Sequence, residues 1–378
     1  MENRFLSRTY HNIPKPVTLE CSGNCINLSI GDPDIITNQK VIDLAFEDAK
    51  NGYTRYSSFK GDPQLIAEII SYYKKEHNID IHNDEIFVTV GASIALYMAM
   101  EAILEDGDEI IVPTPCFFPY RGQVKLAGGV CVELLTKKED GFQINTKELE
   151  SKITNRTRAI ILNNPNNPTG SIQSMETLKA ISEIAINHDL VVLADDIYRL
   201  YTYYQDFTPI MSLPGMKERT ITINSSSKDF LMTGWRVGNV VAPSHIIDVI
   251  GQINHNLTYT PPTMSQRAYM HALRIRDTIQ PPVKEEYKLR TKYVADRVNN
   301  IPFLSTLPSQ GTFYVWANIE KTGLNSQEVS KKFLDEANVL VIPGHLFGNG
   351  CEDYVRIACT LNMKTLESAC DRLEKLKF

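Results

Sequence analysis

Seven short β-rich segments, separated by amphipathic helical patterns, constrain the fold of this chain more than any other feature. The strand candidates are residues 85–90, 108–113, 130–135, 158–163, 190–195, 220–224 and 238–243. Several of these segments are apolar on both faces, which is typical of parallel strands covered by helices on either side. Helical patterns fill several gaps, for example 93–104 and 174–188. The alternation predicts an α/β sandwich whose ligands bind at the carboxyl ends of the strands.

The C-terminal quarter of the chain has a different pattern. A long charged helical pattern over residues 283–298 follows two consecutive prolines, and a smaller α+β set comes after it. The elements of that set are expected at residues 312–319, 326–337, 339–342, 354–359 and 363–376. We therefore predict a large domain of residues 40–285. The predicted small domain combines residues 1–39 with residues 286–378.

The composition is that of an ordinary soluble globular protein. Of the 378 residues, 43% are hydrophobic and 22% are charged, and the formal net charge is −6 without a long block of either sign. This balance argues against a nucleic-acid groove and against binding to an anionic membrane surface. The first 16 residues are polar, unlike a signal peptide, and no run is long enough to span a bilayer. We expect a cytoplasmic protein.

The seven cysteines are scattered along the chain. Their odd number and the lack of tight pairs argue against a disulfide framework. Cys21 and Cys25 lack the second pair of ligands that a structural zinc site requires. We expect reduced thiols and no metal site.

Unusual residues follow two of the strand candidates. Gly91, Ala92 and Ser93 precede a helical pattern, and small residues at a helix N-terminus expose backbone N–H groups that suit a phosphate. A plain turn with a helix cap is the alternative. The loop 164–170, NPNNPTG, has two Asn-Pro steps at a strand end, which favours a rigid loop presenting an amide from Asn167. A surface turn is the alternative for this loop.

Ionisable residues follow two further strand candidates. Asp195 comes directly after an apolar strand, where a carboxylate is costly unless it faces a cation, and Tyr198 lies three residues on. A helix N-cap is the alternative for the acid. The segment 224–238, NSSSKDFLMTGWRVG, brings three serines, Lys228 and Arg236 together after a strand. A desolvated lysine is a nucleophile, and the hydroxyls and the arginine suit a phosphate, although most lysines are exposed and form salt bridges.

Taken in order, GAS, NNPTG, DDIY, SSSK with GWRVG, and YVRIA resemble the pyridoxal 5′-phosphate (PLP) aminotransferases of fold type I, class I/II. The resemblance covers nearly the whole chain, and the SSSKDFLMTGWRVG match is the most specific part of it. It implies a large domain with a mostly parallel seven-stranded sheet between helices, plus a smaller α+β domain. It also implies PLP as the cofactor.

The resemblance implies roles for the residues around the cofactor ring. Lys228 is the Schiff-base lysine and the base that moves the α-proton of the substrate. Asp195 pairs with the pyridine nitrogen, so that the protonated ring serves as an electron sink. Asn167 and Tyr198 donate to the ring hydroxylate. Phe117 matches the aromatic residue that stacks on the ring.

The resemblance also implies a phosphate site built from two subunits. The amides of Ala92 and Ser93, together with Ser225 and Arg236, match the groups that hold the phosphate. Tyr56 matches a tyrosine that reaches the phosphate of the neighbouring subunit. A homodimer with shared active sites is therefore expected.

Two residues match groups that bind the substrate carboxylate beside Asn167. Arg356 matches the arginine that grips the α-carboxylate as a bidentate fork, and Gly31 matches a glycine whose backbone lies against that carboxylate. A plain turn is the alternative for Gly31. The implied reaction is ping-pong and moves an amino group from an L-amino acid to a 2-oxo acid.

The substrate and some related activities stay open. Some dicarboxylate-specific members place a lysine where this chain has Ser93, which favours aromatic or other neutral amino acids with 2-oxoglutarate as an acceptor. A cation from Arg55 or from the partner subunit would reverse that preference. A carbon–sulfur lyase, an aminocyclopropane carboxylate synthase and a histidinol-phosphate aminotransferase share the core. A PLP-sensing regulator domain is disfavoured, because LSIGDPD begins at residue 28 and leaves no room for a DNA-binding module.

Overall fold

The computed structural model describes residues 21–378, in which twelve strands form three sheets. The strands are β1 (Ile26–Asn27), β2 (Ile86–Thr89), β3 (Glu109–Thr114), β4 (Val130–Leu135), β5 (Thr157–Asn163), β6 (Val191–Asp195), β7 (Thr220–Ser225), β8 (Gly238–Val241), β9 (Tyr314–Asn318), β10 (Val339–Leu340), β11 (Ile342–Pro343) and β12 (Tyr354–Ala358). Strands β2 to β8 make one seven-stranded sheet. The predicted α/β class and the seven strand candidates are confirmed.

Twelve α-helices cover the sheets in the described part of the chain. They are α1 (Gln39–Lys50), α2 (Pro63–His77), α3 (Ala92–Ile103), α4 (Pro119–Leu126), α5 (Thr146–Ser151), α6 (Met175–Asn187), α7 (Ser226–Asp229), α8 (Ser244–Leu257), α9 (Thr263–Arg274), α10 (Arg276–Asn300), α11 (Ser326–Ala337) and α12 (Met363–Leu373). The predicted helices 93–104 and 174–188 correspond to α3 and α6.

The order of the large sheet is β2-β8-β7-β6-β5-β3-β4. Only β8 runs antiparallel to its neighbours, and the other pairs in this sheet are parallel. The carboxyl ends of six strands therefore meet at one edge, where parallel sheets bind their ligands.

Helices bury both faces of this sheet. In β3, Ile110 packs in a cluster with Leu96 of α3, whereas its neighbour Ile111 packs in a second cluster with Ile181 of α6. Successive side chains of a strand point to opposite faces, so both faces must be apolar here. This explains why the strand candidates lack a polar alternation.

A second hydrophobic core joins the start of the described chain to its end. Strand β1 pairs with β10 in parallel, and β11-β12-β9 form a small antiparallel sheet. Ile26 and Leu28 pack in the same cluster as Val294 of α10, Val339 of β10 and Ile357 of β12. Of the predicted small domain, residues 1–20 lie outside the described residues, and they include the whole polar N-terminal segment of 16 residues.

Two of the C-terminal elements differ from the sequence prediction. Helix α10 begins at Arg276, seven residues before the predicted start at 283, and includes both prolines. Arg276 Nη2 forms an ion pair with Glu76 Oε1 at 2.6 Å and Ile279 packs against a buried cluster, and these contacts offset the cost of prolines inside a helix. The predicted strand 339–342 divides into β10 and β11, because its two halves pair with different sheets.

The expectation of reduced thiols is wrong for Cys21 and Cys25, which form a disulfide. The amide of Cys25 donates to the carbonyl of Ser22 at 3.2 Å, and this turn brings the two cysteine Cα atoms within 5.4 Å. The other five cysteines are free.

Across residues 21–378, every helix is too short or too polar to cross a membrane. The same residues hold no cluster of three or more His, Cys, Asp or Glu side chains suited to a metal ion.

Candidate active site

A cavity of about 370 Å³ lies at the carboxyl edge of the large sheet, facing the small sheet. Ten of the residues predicted to act on cofactor or substrate line it: Gly31, Ala92, Ser93, Phe117, Asn167, Asp195, Tyr198, Lys228, Arg236 and Arg356. Two predicted residues, Ser225 and Tyr56, do not line it. The strand ends and the C-terminal part of the chain thus bring nearly all the candidate residues into one space.

Lys228 stands on the short helix α7, directly after β7. The hydroxyl of Ser225 caps this helix by accepting a hydrogen bond from the Ser227 amide at 3.0 Å. Lys228 Nζ donates to the carbonyl of Gly31 at 2.6 Å. Burial, the largest cause, lowers the pKa of the Lys228 ammonium together with Arg356 and Arg236, and Asp32 raises it; the net pKa is about 8. The amine therefore loses its proton near pH 8, well below the pH at which an ordinary lysine does.

Asp195 is the buried last residue of β6. Its Oδ2 accepts a hydrogen bond from the Tyr120 hydroxyl at 2.5 Å, and its Oδ1 accepts one from the Ile197 amide at 3.3 Å. Burial raises the pKa of the Asp195 carboxyl to about 6, although both hydrogen bonds lower it. A cationic group in the cavity would stabilise the ionised carboxylate.

Arg356 lies in the middle of β12 and crosses to the strand ends of the large sheet. Its Nη1 donates to Asn167 Oδ1 at 3.0 Å, and its Nη2 donates to the carbonyl of Ser29 at 2.6 Å. Its Nε is buried without a hydrogen-bond partner among the described residues. Asn167 Nδ2 in turn donates to the Tyr198 hydroxyl at 3.5 Å. The guanidinium is fixed and still has donor capacity, which suits a carboxylate.

The opposite end of the cavity is suited to an anion. Gly91 adopts a φ of 77° before the first turn of α3, and Arg236 lies directly over it. A Cβ at Gly91 would stand 2.8 Å from Arg236 Nη2, so only glycine lets the arginine approach the helix N-terminus this closely. Arg236 is exposed at the cavity mouth, and its Nη1 donates to the carbonyl of Thr233 at 2.8 Å. A helix N-terminus beside a guanidinium favours a phosphate.

The two predicted residues outside the cavity lie in different places. Ser225 is buried one layer behind the wall, and its hydroxyl donates to the Ser227 hydroxyl at 2.7 Å, which does line the cavity. Tyr56 is 80% exposed and packs edge-on against Tyr259, with ring centroids 4.9 Å apart. Both assignments stay predictions.

Sequence reasoning missed several cavity residues. Tyr120 lies near the start of α4, three positions after Phe117, so its closeness in sequence to the predicted stacking residue was a usable signal for it. Tyr314 at the start of β9 carried no such signal, because it reads as one more apolar strand position. Phe118 and Ile342 also line the cavity for reasons that only the tertiary fold shows.

Comparison with known proteins decides the family. Residues 23–373 match the family model described as aminotransferase class I and II. The chain belongs to this family. An aspartate aminotransferase of Pyrococcus abyssi is 41% identical over 355 residues, covering 93% of this chain and 91% of that protein. Aromatic-amino-acid aminotransferase 2 of Thermococcus litoralis is 38% identical over 356 residues, with 93% and 91% covered.

Solved structures agree with the family assignment. The crystal structure of an aromatic aminotransferase from Pyrococcus horikoshii matches this aminotransferase with a TM-score of 0.91 at 39% identity, covering 94% of this chain and 96% of that one. The enzyme is a PLP-dependent aminotransferase whose substrates are amino acids and 2-oxo acids.

The cavity fits PLP at both ends. The close approach of Arg236 to Gly91 offers a phosphate site, and the buried Asp195 carboxyl offers a partner for a protonated ring nitrogen. Lys228 lies in the same cavity, with an amine that can react with an aldehyde.

Proposed function

We propose that this aminotransferase moves the amino group of an aromatic or other neutral L-amino acid to a 2-oxo acid, with 2-oxoglutarate as an acceptor, in a ping-pong reaction. The observation that carries the proposal is the convergence of the Lys228 amine, the Asp195 carboxyl and the Arg356 guanidinium on one cavity. The Lys228 amine can act as nucleophile and base, and the Asp195 carboxyl can pair with a cationic ring. The Arg356 guanidinium can bind a carboxylate with two hydrogen bonds.

The proposed mechanism assigns one task to each of these residues. When bound, PLP supplies the aldehyde that takes up the amino group and the ring that accepts the electron pair from the substrate Cα. The neutral Lys228 Nζ takes the proton from Cα and returns it on the cofactor side. Asp195 keeps a proton on the ring nitrogen. Arg356 holds the α-carboxylate so that the Cα–H bond points toward Lys228.

The remaining contacts follow from the placement of the predicted residues. We propose that Asn167 and Tyr198 donate to the ring oxygen, and that Phe117 stacks on the ring. The amides of Ala92 and Ser93 would hold the phosphate.

Two further groups complete the proposed phosphate site. Arg236 reaches the phosphate directly from the cavity mouth, whereas Ser225 reaches it through the Ser227 hydroxyl.

The Lys228→Ala variant tests the whole assignment. The purified protein should be yellow, with an absorption band that borohydride bleaches, and the variant should lack that band.

The proposed substrate class rests on the apolar part of the cavity. Ile30, Phe118 and Ile342 line it, and each cation of the described lining already has a proposed task on the amine, the phosphate or the α-carboxylate. A side-chain carboxylate would therefore meet apolar surface. A panel of amino donors assayed with one 2-oxo acid should rank phenylalanine and methionine above aspartate.

A single substitution sharpens the substrate test. Ile342→Arg places a cation beside the apolar lining and should raise kcat/KM for aspartate relative to phenylalanine by roughly tenfold or more. The substrate proposal is wrong if the unaltered enzyme already prefers aspartate by orders of magnitude.

A separate assay distinguishes the aminotransferase from a carbon–sulfur lyase. Release of pyruvate from cystathionine without a 2-oxo acid would reveal a lyase.

We also propose a homodimer with shared active sites. Five large hydrophobic residues are at least 38% exposed, and two of them, Tyr56 and Tyr259, pack against each other: Tyr53, Tyr56, Phe59, Leu257 and Tyr259. Exposed aromatic residues of this kind are typical of an interface. Since Tyr56 does not line the cavity of its own chain, its predicted phosphate contact requires a second chain.

Mixing two inactive variants tests the shared site. Lys228→Ala and Tyr56→Ala chains should each have little activity alone, whereas unfolding and refolding them together should restore activity. The mixed dimer then has one site with the lysine of one chain and the tyrosine of the other. Absence of recovery in a mixture shown to contain mixed dimers would refute shared sites.

Two further assignments are part of the proposal. The division into a large domain of residues 40–285 and a small domain of residues 1–39 and 286–378 is supported by the separate core that contains Ile26 and Leu28. The cytoplasmic location is supported by five free cysteines, whereas the Cys21–Cys25 disulfide is unusual for that compartment. Cell fractionation tests the location.

A further inference from the structure

We propose that Tyr314 is a positioning residue that connects the carboxylate-binding Arg356 with the hydroxyl of Tyr198. The proposal rests on the function proposed above, in which Tyr198 donates to the ring oxygen of PLP and Arg356 binds the substrate. It concerns a residue to which neither the sequence patterns nor the family resemblance gave a task.

Tyr314 makes two contacts with the proposed machinery. It is the first residue of β9, is only 2% exposed and lines the active-site cavity. Its hydroxyl lies 3.0 Å from the hydroxyl of Tyr198. The Cζ atom of Arg356 lies over its ring, 4.3 Å from the centroid. One side chain thus supports both the ring-oxygen donor and the substrate fork.

The hydroxyl of Tyr314 also lies close to the backbone of Gly31, the residue whose carbonyl contacts Lys228. A Cβ added to Gly31 would stand 1.8 Å from Tyr314 Oη, so the chain can pass at this position only as glycine. The carbonyl of Gly31 is the group that accepts a hydrogen bond from Lys228 Nζ. Close approach to Tyr314, not a positive φ, is therefore the reason for glycine here.

The direction of the hydrogen bond between the two tyrosines follows from the task of Tyr198. If the Tyr198 hydrogen points to the ring oxygen of PLP, the Tyr314 hydroxyl must donate to the Tyr198 oxygen. A donor that itself accepts a hydrogen bond is strengthened by it. The strengthened Tyr198 stabilises negative charge on the ring oxygen, which weakens the hold of the neighbouring Lys228 nitrogen on its proton. The Tyr314 hydroxyl should thus lower the pKa of the cofactor-bound nitrogen.

The ring of Tyr314 has a separate effect on Arg356. A guanidinium over an aromatic face is attracted to it and is kept in a fixed plane. Arg356 must present its fork to the substrate in that plane, so the ring should matter for substrate binding. The hydroxyl should matter for the proton equilibrium.

Two variants separate the ring from the hydroxyl. Tyr314→Phe keeps the ring and removes the hydroxyl, whereas Tyr314→Leu removes both. The matched control is Tyr203→Phe, since Tyr203 is a buried tyrosine of the same aromatic cluster and its hydroxyl donates to the backbone carbonyl of Thr312.

The measurement is the visible absorption of each PLP-loaded enzyme as a function of pH, with steady-state kinetics on the preferred amino acid. Tyr314→Phe should raise the midpoint of the absorption change by about half a pH unit or more, with KM nearly unchanged. Tyr314→Leu should show the same shift and raise KM by about tenfold. Tyr203→Phe should leave both the midpoint and KM at the wild-type values, whatever it does to thermal stability.

Two results would overturn the proposal. One is a Tyr314→Phe midpoint equal to that of the wild type, and the other is a shift of the same size in Tyr203→Phe. Both results are measured on the conservative Tyr314→Phe and Tyr203→Phe variants, so the test of the proposal does not depend on whether Tyr314→Leu folds. These failures differ from a failure of the proposed function, in which the wild-type enzyme itself would lack a band that borohydride bleaches.

Discussion

The two sides of the active-site cavity are built in different ways. On the large-sheet side, Lys228 and Asp195 stand where strands β7 and β6 end, so the sheet edge itself places them. On the other side, Arg356 lies in the middle of β12 and is fixed by the carbonyl of Ser29, the amide of Asn167 and the ring of Tyr314. The first side depends on topology, and the second depends on contacts between distant parts of the chain.

This difference suggests a division of labour. The strand-end residues are partly or fully desolvated and have shifted pKa values, which suits proton and electron chemistry. Arg356 is a fixed fork that suits orientation. We expect substitutions at the strand ends to change kcat and the absorption spectrum, and substitutions around Arg356 to change mainly KM.

The largest effect is expected for Lys228→Ala. Loss of both the nucleophile and the base should reduce kcat by on the order of 10⁵-fold or more and abolish the band that borohydride bleaches. Steady-state assays and absorption spectra check this result. If the variant kept near-normal turnover, Lys228 would be neither the nucleophile nor the base, and the proposed role of the strand-end residues in the chemistry would be wrong.

Asp195→Asn is expected to follow. Without the carboxylate the ring nitrogen would lose its proposed anionic partner, so kcat should fall by on the order of 10³-fold. Asp196→Asn is the matched control, because Asp196 is equally buried and adjacent but does not line the cavity. Equal losses of kcat in the two variants would show that burial, and not the position of the carboxylate, is responsible.

Arg356→Lys should have an intermediate effect of a different kind. The lysine keeps the charge but lacks the planar fork, so KM should rise by roughly 10²-fold, whereas the spectrum of the bound cofactor should change little. Arg297→Lys, on a surface ion pair with Asp371 and Glu374, should change neither quantity. If Arg356→Lys altered the spectrum as strongly as Asp195→Asn, the two sides of the cavity would not be separable.

A smaller effect is expected for Tyr120→Phe. The Tyr120 hydroxyl donates to Asp195 and lowers the pKa of that carboxyl, so its removal should raise the pKa further and weaken the ionised form. We expect kcat to fall by about tenfold, most strongly at acidic pH. A pH profile of kcat checks this prediction, and a profile identical in shape to that of the wild type would contradict it.

The smallest effect is a pH dependence in the unaltered chain. In the proposed mechanism only the neutral amine of Lys228 reacts with the cofactor aldehyde, and the pKa of this amine is lowered to about 8, chiefly by burial. The rate of PLP uptake by the apoenzyme should therefore rise with pH, level off above about 8, and fall as the amine is protonated below it. A rate that continued to rise toward 10.5, the ordinary lysine value, would show that the amine is not desolvated.

The same comparison explains what the sequence could predict. The apolar runs defined the seven strands of the large sheet, and the strand-end position of Asp195 and Lys228 followed from them, because parallel strands end at a common edge. Arg356 was assigned only through the family resemblance, since a mid-strand arginine has no local signal. Tyr314 was missed for a related reason. Its partners, Tyr198 and Arg356, come from other elements, and no spacing along the chain reports such contacts.

Local patterns were also insufficient where tertiary contacts dominate. The start of α10 lies before both prolines because ion pairing and apolar packing hold that first turn. The Cys21–Cys25 bond forms across a turn that composition alone does not indicate.

The hydrogen bond from Arg356 to the backbone carbonyl of Ser29 joins residues that are 327 positions apart in the sequence. Strand β1 likewise pairs with β10 near the other end of the chain. During synthesis on the ribosome, β1 therefore lacks its partner strand until residues 339–340 have been made, and closing so long a loop is slow. We expect nascent chains truncated before β10 to form the large sheet but to lack a closed substrate side, so amino-acid binding would be among the last properties acquired in folding.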